Sequence, residues 1–302
     1  MHETVDDSSG ALTLHNRAIE ILERLVNVEG RRELANGLAD LYSNKAIAVM
    51  KLGDNRAAVG LYDRAIEIRE RLVTVEGRRE LADGLATLYS NKASAVGTLG
   101  DNRAAVALYD RAIEIRERLV NVEGRRELAD DLASLYMNKA NAVGNLGDNL
   151  AAVGLYERAI EIRKPLVSVE GRHELADDLA TLYMNKAIAV KNLGDNRAAV
   201  GLFDRAIEIR ERLVNVEGRH ELANDLALLY SNKAFAVENL GDNRSAVALY
   251  DRAVEVLERL VNVEDRRELI GEIAELRKSL TDEHKRNSAA PQPTPFPEQL
   301  IS

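Results

Sequence analysis

The chain has 302 residues, of which 46% are hydrophobic and 30% charged, with a formal net charge of -9. That length is ample for a buried core, while the acidity opposes general binding of nucleic acid or anionic membrane, for which phosphate attraction supplies most of the non-specific affinity. There are no cysteines, hence no disulfide, thiolate metal site or cysteine nucleophile, a composition that suits the cytoplasm, which is the expected location.

No apolar run is long enough to span a bilayer, so no membrane role is expected. The opening MHETVDDSSG is too acidic and polar for a secretion signal. Residues 1–9 are expected to be flexible, and the ordered domain to run over 10–286. Within it, Gly10–Val28 reads as a single capping helix. The dipeptide Gly-Asp then falls at Gly53, Gly100, Gly147, Gly194 and Gly241, a period of 47 residues each time, which signals tandem structural units.

Five helix pairs are expected over 31–265. In the first, Leu34, Leu38, Leu41, Tyr42, Val49 and Leu52 recur at steps that stack them on one face of a helix from Arg31 to Leu52. Ala58, Leu61, Tyr62, Ala65, Ile66, Leu72 and Val73 do the same from Asn55 to about Val75. Gly53 permits the left-handed conformation that ends a helix, Asp54 caps the next one, and Gly77 stops the second. Pro165 removes one amide and is expected to bend or end its helix early. A closing helix is expected over 266–286. The remainder, NSAAPQPTPFPEQLIS at 287–302, reads as a disordered Pro-rich tail.

The copies are nearly identical, and their differences are localised. Variation among the five first helices collects in five columns. These are Asp40/Thr87/Ser134/Thr181/Leu228, Ser43/Ser90/Met137/Met184/Ser231, Ile47/Ser94/Asn141/Ile188/Phe235, Met50/Gly97/Gly144/Lys191/Glu238 and Lys51/Thr98/Asn145/Asn192/Asn239. At roughly 100° per residue they share one arc, opposite the constant Leu34, Leu38, Tyr42, Val49 and Leu52. Free drift of an exposed face is the bland account. Against it, the exposed positions Arg64, Glu67 and Glu76 barely vary. Ile47, Met137, Met184, Ile188 and Phe235 are also costly to leave in water without a partner. The variable arc therefore reads as a recognition surface.

Two constant columns flank or oppose it. Asn44, Asn91, Asn138, Asn185 and Asn232 border the arc and offer amide donors and acceptors suited to a peptide backbone, or else to local bonds within the fold. Lys45, Lys92, Lys139, Lys186 and Lys233 point into the apolar arc and require a carboxylate, which the Asp63 or Glu67 columns can supply. Acid recurs at Glu33, Glu80, Glu127, Glu174 and Glu221, joined by Asp83, Asp130, Asp131, Asp177, Asp178 and Asp225. It reads as helix N-terminal charge whose sum favours a ligand with basic residues.

Aligned on Gly53-Asp54, the set Tyr42, Ala46, Ala58, Tyr62 and Ala65, repeated in every unit with Phe203 for tyrosine once, resembles the tetratricopeptide repeat. The usual repeat has about 34 residues. The surplus RERLVTVEGRREL-like stretch makes this an elongated relative, as in kinesin light chains, expected to lengthen both helices. The resemblance implies an all-α fold, a right-handed α-solenoid that binds an extended peptide or flexible partner segment in a concave groove. It places Ser43, Asn44, Ile47, Met50, Lys51, Asn91, Ser94, Met137, Asn138, Asn141, Met184, Asn185, Ile188, Lys191, Asn232 and Phe235 as ligand-binding residues. The asparagine column resembles the ladder in the groove of O-linked N-acetylglucosamine transferase.

The five histidines, His2, His15, His173, His220 and His284, are scattered, and no phosphate loop, metal-ligand spacing or nucleophile elbow occurs. No enzyme activity, metal or cofactor is expected. The alternatives are a self-assembling module, joined through terminal helices or the C-terminal tail, and the sensor region of a larger signalling protein. A nucleic-acid reader with one base per repeat is opposed by the acidity, so no nucleic-acid partner is expected. If stability is spread over nearest-neighbour interfaces, excising Asn55–Asp101 as one whole period should preserve a cooperative melt and the circular-dichroism signal per residue. Excising 55–76 alone should lower both.

Overall fold

The computed structural model describes residues 3–264 and, beyond them, residues 271, 273, 274 and 277. Among these residues the chain is helical, with no strand. It divides into two compact units, one reaching His173 and one starting at Glu174. The first holds α1 (Glu3–Asn27), α2 (Ala35–Lys51), α3 (Asn55–Thr74), α4 (Ala82–Thr98), α5 (Asn102–Glu117), α6 (Ala129–Asn145) and α7 (Asn149–Ser168). The second holds α8 (Ala176–Asn192), α9 (Asn196–Asn215), α10 (Ala223–Glu238) and α11 (Asn243–Glu264). In the first unit α2 packs on α3, α4 on α5 and α6 on α7. The second unit repeats this with α8 on α9 and α10 on α11.

Several boundaries differ from expectation. Helix α1 begins at Glu3, ahead of the Gly10 start, within the segment expected to be flexible. The surplus residues do not lengthen both helices. They carry the second helix to Thr74, then form the turn at Gly77 and a separate 3-10 turn at Arg79–Leu81 before α4. That turn is closed by Leu81 N–H donating to the Arg78 carbonyl at 3.1 Å. Helix α7 passes through Pro165 to Ser168. One amide bond is lost there, but the Pro165 carbonyl accepts from Val169 N–H at 2.8 Å, so the last turn survives. The expected closing helix at 266–286 and tail at 287–302 lie outside the described residues apart from the four named.

The joints follow the sequence closely. Gly53 takes φ +87°. Its N–H reaches the Met50 carbonyl at 2.8 Å and the Asp54 N–H reaches Val49 at 3.2 Å, a Schellman-type stop that suits glycine. The Asp54 carboxylate accepts from Ala57 N–H at 2.9 Å, and Asp101, Asp148 and Asp195 cap α5, α7 and α9 likewise at 2.9 Å. Such a cap is worth about 1 kcal/mol. Beyond the joints, Ala46, Ala58, Tyr62 and Ala65 are fully buried, so small residues let paired helices approach closely. The turn leucines depart from the expected core. Leu52, Leu99, Leu146, Leu193 and Leu240 stand about half exposed beside the glycine turns.

What joins one pair to the next is a buried arginine on the second helix. Arg163 is fully buried, and Arg210 and Arg116 nearly so. Arg163 Nε donates to Asp130 at 2.7 Å and its Nη2 to Ser134 Oγ at 2.7 Å. Arg210 holds Asp177 at 2.9 Å and Thr181 at 2.8 Å, and reaches toward Asp225 of the next first helix at 3.7 Å. Arg116 lies 2.8 Å from Asp83 and 2.6 Å from Asp131, and donates to Thr87 at 2.9 Å. Arg69 pairs with Asn36 at 3.2 Å and with Asp40, and its guanidinium fills the space beside Gly84 that a Cβ would need. Each arginine thus ties two first-type positions of its own pair, and Arg116 and Arg210 extend the tie to the pair that follows.

In the last pair this column reads Leu257, fully buried, and the matching partner position reads Leu228. Asn224, at the carboxylate position, keeps a buried Oδ1 without a hydrogen-bond donor among the described residues. The two leucines replace guanidinium and hydroxyl together, a compensated change. Removing one partner of a buried pair is costly, whereas replacing the whole set by apolar groups is nearly neutral. Arg210→Ala should therefore lower unfolding free energy by about 3 kcal/mol in denaturant titration. The triple change Arg210→Leu, Thr181→Leu and Asp177→Asn should recover most of that loss.

Candidate functional site

The variable arc of the first helices divides by what the side chains touch. The outermost column, Asp40, Thr87, Ser134 and Thr181, is bound to the buried arginines and is not a free surface. The acid expected to favour a basic ligand is also engaged. Asp83, Asp130, Asp131, Asp177 and Asp225 face those arginines. Glu80, Glu127 and Glu221 accept from Arg78, Arg125 and Arg219 at 3.0, 2.9 and 2.9 Å. The arginine hydrogen bond and the backbone of the 3-10 turn hold these three exposed carboxyls below their usual pKa. Most of the acid listed from sequence is thus already paired within its own unit.

The lysine column behaves as expected from burial. Lys92 pairs with Asp63, Lys139 with Asp110 at 2.5 Å and Lys233 with Asp204 at 2.5 Å, so the aspartate column supplies the carboxylates. These ammonium groups are structural.

The next column is tuned from behind by the second-helix aromatic. Tyr156 donates to Asn141 Oδ1 at 2.5 Å, and Tyr62 to Met50 Sδ at 3.5 Å. The Tyr109 hydroxyl meets Ser94. Ile188 stands at the position of Ser94 and Asn141, and the aromatic fifteen residues on is Phe203, which has no hydroxyl to satisfy. Ile47 is equally apolar but has Tyr62 fifteen residues on, whose hydroxyl turns to Met50 instead, so the match of Phe203 to Ile188 is one case and not a rule of the column.

What remains on the surface differs between the two units. In the first, Ala86, Ser90, Asn91, Ser134 and Asn138 line a cleft of about 240 Å³ between α4 and α6. A second cleft of about 310 Å³ is lined by Ser94, Thr98, Asn102, Asn138, Asn141 and Asn145, with Tyr109 at its back. Asn138 borders both. Neither Asn91 nor Asn138 is engaged by another side chain among the described residues. Asn44 and Lys51 are exposed, Ile47 is about a third exposed, and Ser43, Met50 and Met137 are half-buried. In the second unit Met184, Asn185, Ile188 and Asn232 are half-buried and Phe235 is 47% exposed. The Lys191 ammonium sits 4.8 Å over the Phe235 ring, and burial pushes its pKa down.

Sequence reasoning missed the arginine column Arg69, Arg116, Arg163 and Arg210. The signal available was its strict recurrence two residues after the Glu67-type position, broken among the five pairs only at Leu257, in the pair that carries Leu228. Among the described residues no helix is long and apolar enough to cross a membrane.

Burial pushes the pKa of Tyr62 and Tyr156 up to about 12. The same holds for Tyr89, Tyr136 and Tyr230, where burial is reinforced by hydrogen bonds to Glu70, Glu117 and Glu211. A folded pKa raised above the ordinary 10.0 means that folding stability is complete below pH 10 and is lost as pH rises toward 12. A phenolate absorbance titration, free of tryptophan because the chain has none, should show most tyrosines ionising together with unfolding. A separate expectation concerns the aromatic match. Phe203→Tyr should cost about 1–3 kcal/mol by burying an unpaired hydroxyl beside Ile188, and the added change Ile188→Asn should restore it.

Residues 38–73, 85–125 and 179–220 match the family model for the tetratricopeptide repeat. Among solved structures, BtubC (BKLC) from P. vanneervenii aligns over 98% of each chain at 23% identity with a TM-score of 0.63. A putative kinesin light chain from Podosopora anserina with nearly identical TPR-like repeats aligns over 74% of this chain and 95% of its own. The identity is 17% and the TM-score 0.57. At those identities the likeness is one of fold, the all-α tandem-repeat solenoid. No curated protein matches the chain. The matched stretches begin one and then two 47-residue periods apart, so these three segments are tetratricopeptide repeats, in a chain that shares the fold of these neighbours.

Proposed function

We propose that this protein is an interaction scaffold whose first-helix face binds an extended peptide or a flexible segment of a partner protein. The tetratricopeptide fold itself suggests a protein–protein interaction scaffold, and repeat proteins of this kind are generally non-enzymatic. The observation that supports a peptide on this face is the state of Asn91 and Asn138. Their amides border clefts and are not spent on internal bonds. A primary amide presents two donors and an acceptor, the complement of an extended backbone.

Selectivity then comes from the side chains that line these clefts. The first unit offers hydroxyls and amides at Ser90, Ser94, Asn141 and Asn145, the last three already touched by Tyr109, Tyr156 and Asn102, suited to polar side chains. The second offers Met184, Ile188 and Phe235 with the Lys191 cation, suited to an apolar side chain beside a carboxylate. Asn44, Ser43, Ile47, Met50 and Lys51 extend the surface toward the first helix pair, and Asn185 and Asn232 continue the amide column in the second unit.

Replacing Asn91, Asn138 and Asn185 by alanine should weaken binding of a peptide selected from a displayed library at least tenfold, read by isothermal titration, with the melting midpoint little changed. Equal losses of melting and binding would make the column structural and remove this reading.

A further inference from the structure

The opposite face, built from second helices, repeats a cleft that the peptide reading does not use. One cleft of about 350 Å³ has an apolar floor of Val73, Leu85, Ile115 and Leu119. Its walls are Arg79, Arg111 and Arg118 against Glu70, Glu114 and Glu123. Another, of about 490 Å³, is lined by the residues one period earlier, with Arg32, Arg64 and Arg71 against Glu23, Glu67 and Glu76. The cleft is thus a property of the unit.

Three features separate it from an ordinary solvated surface. First, its charge is balanced, three arginines to three glutamates, on a chain whose net charge is -9. Second, one residue beyond the lining Thr74 stands Val75, an apolar knob 77% exposed. Val28, Val122, Val169 and Val216 recur in the same place at 78–81% exposure. Third, the second-helix pair Arg64 and Glu67 recurs unchanged in every period, as Arg111 and Glu114 in the next, although the Thr74 and Arg79 positions vary. Internal bonds account for some of that constancy: Tyr89 donates to Glu70, and Arg118 donates to Glu123 at 3.2 Å. Arg111 also lies 3.7 Å from Glu114, which is three-quarters exposed, but no internal bond accounts for the valine knobs.

Balanced walls, an apolar floor and an apolar knob at one spacing make a surface complementary to itself. A strongly acidic or basic partner finds no net attraction here, whereas a two-fold axis sets Arg against Glu and knob against floor at every period. We infer that the second-helix face of the first unit is a docking surface for a second copy of this chain, in antiparallel register set by the 47-residue repeat. This interface differs from one made by terminal helices or by the tail. It also leaves the amide-lined clefts of the first-helix face free for a peptide. In the next cleft along, Pro165 takes the place of Arg118 while Glu117 keeps that of Glu70, so the balance of charge is lost there and the complementary series ends with these two clefts.

The test is sedimentation of the full chain over a wide concentration range. Wild type should rise from 33.4 kDa toward twice that mass, more weakly as salt increases. The double variants Arg71→Glu/Arg118→Glu and Glu67→Arg/Glu114→Arg should each remain at 33.4 kDa with unchanged circular dichroism. Their equimolar mixture should recover the doubled mass, because the reversed charges then face each other. A wild type that stays monomeric overturns the proposal. So does doubling that persists in either variant, or a mixture that fails to associate. Retained peptide affinity in the two variants separates this result from the reading of the first-helix face.

Discussion

A guanidinium without access to water must find anionic or polar oxygen nearby, and this requirement organises the stack. Arg116, Arg163 and Arg210 come from second helices, yet their oxygen partners lie on first helices, 29 to 33 residues earlier in sequence and, for Arg116 and Arg210, also on the first helix that follows. Hydrophobic burial brings helices together but tolerates sliding along their axes. A forked donor with fixed geometry does not. The arginine therefore fixes the axial position of each pair, and the joint at Gly53-Asp54 fixes where the second helix of the pair begins. Ala46 and Ala58 fill the space between without imposing direction.

Viewed from that constraint, variation among the units is of two kinds. At Asp40, Thr87, Ser134, Thr181 and Leu228, change follows the need of the arginine or leucine behind it. At Ser94, Asn141 and Ile188 it follows the hydroxyl, or its lack, on the paired aromatic. These positions face the surface only in part, and their chemistry is partly settled from within. Ser43, Met137, Met184 and Lys51 show no such internal counterpart among the described residues, so on the function proposed above a ligand is the natural agent of their choice. The recognition alphabet is smaller than the count of differing columns implies.

The period, the glycine stops, the aspartate caps and the aspartate partners of the lysines were all legible in the sequence. They depend on neighbours within a turn or on one simple rule of charge burial. The arginine ties were not. A constant charged residue between two others reads as solvated surface, and its partners become visible only when the packing angle of two helices is known. For the same reason the aspartates of the first turns read as a patch open to ligand, when they are counterions to buried cations. Pro165 misled in the other direction. A proline so near a helix end forfeits a single bond, and the chain around it had enough others to continue.

The pairing of Leu257 with Leu228 has a bearing on how such a repetitive chain finds one structure. Units this alike are at risk of stacking out of turn, or of exchanging with units of another molecule during synthesis. A second helix bearing arginine that settled against Leu228 would lose the oxygen partner that its guanidinium finds in the other pairs. Leu257 set against Asp130 and Ser134 would strand a carboxylate and a hydroxyl. Either mismatch forfeits several kcal/mol. One changed pair of positions thus gives the last described pair a chemistry that its near-identical neighbours do not share.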